Sequence, residues 1–200
     1  MSVAVLDQSD LGLTWVLDEP MMRASHALVH EGRVWLVDPT DDTDSLERAA
    51  GLGEPVAVVQ LLDRHNRACA AVAARLGVAH LRVPAEVPGG PFGVVRVVDW
   101  PGWREVALWW SARRALVVAE ALGTAPSCAP GAAGAGVSVG LRPWPPKRLG
   151  TFEPDHLLVG HGAPIHGQGA SAAIDEALAR SRRDLPHAIA ATVNSFRRRP

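Results

Sequence analysis

The feature that most constrains this 200-residue chain is the passage VAVVQLLDRHNRACAAVAARLG, residues 56–77. Residues 56–61 are apolar apart from Gln60. Such a run reads as a strand buried on both faces, so it demands one covering layer above and another below. A polar group follows (Asp63, Arg64, His65 and Asn66), and then a helical pattern over residues 66–76. There Ala68, Val72 and Leu76 stand four apart, with Gly77 as the stop. A loop held between two packed elements is exposed yet rigidly positioned, which suits a functional site.

The rest of the chain supplies the layers. Runs at 13–17, 24–30 and 33–37 read as strands, with Glu31-Gly32 as a hairpin turn and Asp38-Pro39 as the end of the third. Asp44 with Glu47 three residues later has capping-box spacing, so a helix is expected to begin there. Further strands are expected at 94–98, 106–110, 115–119 and 157–159, and helices at 170–183 and 186–196. Residues 124–150 hold five Gly and five Pro and read as one long loop over a face of the molecule. Residues 197–200 read as a solvated basic tail. The expectation is one α/β domain over residues 1–200, with mixed sheets covered by helices.

Composition excludes several functions. A hydrophobic content of 48% is too high for a disordered chain. Twenty Lys and Arg against 21 Asp and Glu argue against a dedicated nucleic-acid or anionic-membrane partner. Cys69 and Cys128 make no disulfide framework and no CxxC pair. The opening MSVAVLDQSD has acids where a signal peptide has bases, and the uncharged run 121–141 is broken by Gly, Pro, Ser and Thr. A soluble, cytoplasmic protein with no membrane partner is expected.

Three buried runs each end in a group able to do chemistry. The first leads into His65, RALVVAEALG ends at Glu120, and LLVGHGAPIHG runs into His161 between two glycines that leave its imidazole uncovered. In this order, together with ASHALVHEGRVWLVDP ending at Asp38 and DWPGWREVALWW, these segments resemble the metallo-β-lactamase superfamily of metal-dependent hydrolases. The resemblance runs from about residue 24 to about residue 185. It implies a four-layer αβ/βα sandwich of the metallo-β-lactamase type.

The same resemblance implies a dinuclear zinc site that this chain has largely lost. Where the family carries HxHxDH, the chain has Gln60, Leu62, Arg64 and His65. Trp103 stands for the third His and Glu120 for the bridging Asp, while His161 is kept. Gln60, Leu62 and Trp103 leave one metal without a strong side-chain ligand. His65, Glu120 and His161 remain as a two-His, one-carboxylate set for a single zinc, with Asp63 a candidate shifted carboxylate. Against them stands Arg64, whose guanidinium does not lose its charge in a protein. It is expected to pair with Glu120 and fill the old site, with Trp103 facing it.

Two function classes follow. One is a non-hydrolytic pseudoenzyme, without cofactor, whose cleft binds a small molecule or a protein partner. The other is a mononuclear metal-dependent hydrolase using His65, Glu120 and His161. A third reading, a serine hydrolase, rests on Gly136-Val-Ser138-Val-Gly140 with Asp155 and His161 downstream. It lacks the strand before and the helix after that a nucleophile elbow needs. Trp109 and Trp110 read as packing residues, and Cys128 as an inert loop thiol.

Overall fold

The computed structural model describes residues 2–65, 67–131 and 134–197. Its first sheet takes strands β1 (Val3–Ser9), β2 (Gly12–Leu17), β3 (Ala24–His30), β4 (Arg33–Val37), β5 (Glu54–Gln60) and β6 (Ala79–Arg82). They lie side by side in chain order. The first four are antiparallel, and β4, β5 and β6 run parallel. Helices α1 (Thr43–Ala50) and α2 (Cys69–Leu76) make the parallel crossovers.

The second sheet takes β7 (Gly93–Trp100), β8 (Trp103–Trp110) and β9 (Ala115–Val118). Beyond the short pair β10 (Leu122–Gly123) and β11 (Gly136–Val137), it adds β12 (His156–Val159) and β13 (Ile165–His166). Its order is β13-β12-β9-β8-β7, with β9 and β12 parallel. Helices α3 (Gly169–Arg180) and α4 (Leu185–Arg197) close the chain.

The alternation of strand side chains sorts the layers. From β4 and β5, Val34, Leu36 and Val58 join Leu46 and Ala49 of α1 and Cys69, Val72 and Ala73 of α2 in one cluster. Their neighbours Trp35, Val37, Ala57 and Val59 join Val106, Leu108, Trp110, Leu116 and Val118 of the second sheet in the main core. That core continues to Ala170, Ile174 and Ala177 of α3. The order is therefore helix, sheet, sheet, helix. The strand at 56–61 is buried on both faces because it sits between these two cores.

Several boundaries differ from the sequence reading. Strands β1 and β6, unforeseen, are the two edges of the first sheet, where half-exposed side chains carry little hydrophobic pattern. Helix α1 is capped by Asp42, whose carboxylate accepts from Ser45 N, rather than by Asp44. The 124–150 segment is not structureless: it carries β11 and two 3₁₀ turns, Val139–Leu141 and Lys147–Thr151. The expected helix start at Asn66 and most of the tail, residues 198–200, lie outside the described residues. No helix among the described residues is long and apolar enough to cross a membrane.

Candidate functional site

Carbonyl and carboxylate groups at strand ends build the site. β4 ends at Asp38, which takes the left-handed backbone region at φ 44° and is 2% exposed. Its Oδ1 accepts from Leu61 N at 3.2 Å and its Oδ2 lies 3.2 Å from His65 Nδ1. Burial alone raises the Asp38 carboxyl. The hydrogen bond and charge of His65, with help from Arg67 and the Leu61 amide, outweigh burial and hold it below the usual carboxylate range. An ionised Asp38 accepts only, so the proton of this bond sits on His65 Nδ1.

Arg67 ties three of these ends together. Its buried guanidinium donates to the carbonyls of Ala24, Asp38 and Gly160, the last two at 3.1 and 2.7 Å. Burial draws its pKa down, with Asp38 pulling the other way. Sequence reading passed over Arg67, because an arginine in a polar loop looks solvated until the strand ends around it are known.

His161 follows β12 and is 6% exposed. Its Nδ1 donates to Met21 O at 2.8 Å, which leaves Nε2 as a bare lone pair with no partner among the described residues. Burial, then the charges of Arg67 and His65, push His161 down to about 3, so it is neutral near pH 7. The His65 and His161 rings stand edge to face with centroids 5.6 Å apart. His65 Nε2 lies 4.0 Å from Glu120 Oε2.

Glu120 meets Arg64. Arg64 Nη2 donates to Glu120 Oε2 at 3.1 Å, and the guanidinium carbon sits 3.7 Å from the centroid of a Trp103 ring. Stacking and pairing together fix a side chain that is otherwise 44% exposed. Below them lies Glu105, fully buried on β8. Its Oε1 accepts from the amides of Ala119, Glu120 and Ala121 at 3.2, 2.9 and 2.9 Å, and its Oε2 accepts from Trp103 Nε1 at 3.2 Å. Burial pushes the Glu105 carboxyl up to about 7, against the pull of the Ala121 and Glu120 amides and the indole. Sequence reading missed Glu105; the one available signal was a lone acid inside an otherwise apolar strand.

These groups wall a cavity of about 500 Å³, lined by Arg64, His65, Arg67, Glu120 and His161 together with Glu19, Pro20, Met21 and Arg23. Other expected lining residues point elsewhere. The Gln60 amide spans Leu62 O at 2.8 Å and His80 Nε2 at 3.0 Å. Leu62 is wholly buried in the core. Asp63 pairs with Arg104 Nε at 3.2 Å and does not line the cavity. Asp38 and Trp103 stand behind His65 and Arg64 rather than on the wall. No group of three His, Cys, Asp or Glu side chains disposed to hold a metal ion occurs among the described residues.

The serine-hydrolase constellation is not assembled. Ser138 lies between a two-residue strand and a 3₁₀ turn, Asp155 pairs with Arg114 Nε at 3.0 Å, and His161 Nδ1 is committed to Met21. Cys128 is buried and pushed up to about 11 by burial, so it offers no thiolate.

No family model matches the chain, and no curated protein matches it. Solved structures do. It is similar to the DIM-1 metallo-beta-lactamase at 12% identity, covering 91% of this chain and 99% of that one, with a TM-score of 0.56. A metallo beta lactamase from Erythrobacter litoralis gives 12% identity, 92% and 95% coverage, and a TM-score of 0.56.

Proposed function

We propose that this chain, which has the metallo-β-lactamase fold, is a non-hydrolytic ligand-binding protein in which the Arg64 guanidinium takes the place of a metal ion. The ion pair of Arg64 with Glu120 at 3.1 Å, stacked on Trp103, carries this reading. A metal at this position needs electron-pair donors. The chain offers His65 Nε2, His161 Nε2 and Glu120, and Glu120 is already engaged by a permanent cation. Two unit charges 4 Å apart interact by about 4 kcal/mol at an effective dielectric of 20, and a dication doubles that repulsion. The residues present therefore do not fit the dinuclear zinc site that the fold implies, and no catalytic step is routed through one.

The mononuclear alternative draws on the same His65, Glu120 and His161. Elemental analysis of protein purified without chelator separates the two. The proposal expects no stoichiometric metal and no melting-temperature change on adding zinc. Stoichiometric metal that disappears in a His65→Ala, His161→Ala double variant would establish the hydrolase reading instead.

A further inference from the structure

We infer that the cavity binds a small zwitterion, a molecule carrying both an ammonium and a carboxylate group, of the amino-acid class. The inference rests on the non-hydrolytic reading above and names the ligand of that same site.

The cavity wall divides into acceptors and donors. On the acceptor side, Met21 O holds the proton of His161 on Nδ1 and Asp38 holds that of His65 on Nδ1. The neutral His161 then presents its Nε2 lone pair to the cavity that Glu120 also lines. His161 is 94% buried by its 6% exposure, and its Nε2 has no partner among the described residues. An acceptor that opens on the cavity is placed to take a hydrogen bond from a ligand that donates. On the donor side, Arg64 spends one nitrogen on Glu120 and leaves its Nε and Nη1 without a partner among the described residues, in a plane fixed by Trp103.

Charge then selects the ligand. A simple amine would satisfy Glu120 and the His161 lone pair but bring a further cation to a wall that already carries Arg23, Arg64 and Arg67. A simple carboxylate would suit Arg64 but face Glu120 and the His161 lone pair. A molecule with both groups meets each side with its complement and adds no net charge. The carboxylate accepts a free N–H of Arg64 and the ammonium donates to Glu120 and His161. A volume of about 500 Å³ suits a ligand of this size with room for a side chain.

The test is thermal shift and titration calorimetry on the full chain with free α-, β- and γ-amino acids as probes. Propylamine and propionate serve as one-ended controls, and zinc runs as a separate arm. At least one amino acid is expected to raise the melting temperature with concentration while neither one-ended compound does. Arg64→Met and Glu120→Gln are each expected to weaken that binding by about tenfold or more. Both sites are partly exposed, and an unchanged melting temperature without ligand confirms folding. Silence from every amino acid, equal binding of a one-ended compound, or binding indifferent to both variants overturns the inference. Stoichiometric zinc binding overturns the non-hydrolytic reading instead, so the two failures are distinguishable.

Discussion

Glu105 holds Glu120 by its main chain: Oε1 of the buried carboxylate accepts the Glu120 amide at 2.9 Å, flanked by the amides of Ala119 and Ala121. Its other oxygen takes the indole of Trp103, the ring on which Arg64 stacks. One side chain thus positions both halves of the Arg64–Glu120 pair. Glu105→Ala leaves three amides and an indole without their acceptor, at about 1–3 kcal/mol for each buried group left unpaired. A loss of at least 3 kcal/mol is expected in urea unfolding, whereas Glu105→Gln, which keeps an acceptor oxygen, should lose much less.

The pH dependence of stability separates Glu105 from the histidines. The folded pKa of Glu105 is raised to about 7 by burial, above its unfolded value of 4.5. The folded state therefore holds the proton more tightly, and this group's contribution falls as pH rises from about 4.5 through 7. Burial depresses His26 to about 4 and His161 to about 3 from 6.5. Their contribution is present above 6.5 and lost as pH falls below it. Unfolding free energy measured from pH 4 to 8 should show both limbs, with Glu105→Gln flattening the decline above pH 6.5 and His161→Asn reducing the acid loss.

Arg67 is expected to be costly to remove. It gathers the carbonyls of Ala24, Asp38 and Gly160, one from each of three strand ends. Arg67→Met leaves those oxygens short of donors and is expected to cost about 3 kcal/mol or more. Arg67→Lys should not rescue it, since a single ammonium lacks the planar fork that spans three acceptors. Chemical denaturation of the two variants checks both statements.

Much of this was legible in the sequence, and the reasons differ by element. The strand at 56–61 and the inner strands announced themselves because burial on both faces leaves no room for polar residues. The Arg64–Glu120 pair was readable only through the family resemblance, which brings two positions 56 residues apart to one site. Gln60, Leu62 and Asp63 were expected on the cavity wall, yet Gln60 is drawn to His80 and Asp63 to Arg104. Those partners sit on the β6 edge and on β8, and nothing local to the loop reveals them. Glu105 and Arg67 went unread for a related reason: each acts through hydrogen bonds to backbone groups distant in sequence, which leave no trace in residue type or spacing.

The Arg64 pair itself contributes little to stability. A partly exposed ion pair is worth about 0–1 kcal/mol, and stacking on an indole adds a similar amount. Arg64→Ala should therefore shift the melting temperature only slightly, as differential scanning calorimetry would read it. The role of Arg64 lies in what it excludes.

That exclusion is measured most directly by calorimetric titration of zinc into the natural chain and into Arg64→Asp. The substitution removes the permanent cation, releases Glu120 and adds a second carboxylate beside His65 and His161. The account predicts no zinc binding by the natural chain and measurable binding by the variant. Tight, stoichiometric zinc binding by the natural chain, unchanged by the substitution, would contradict it.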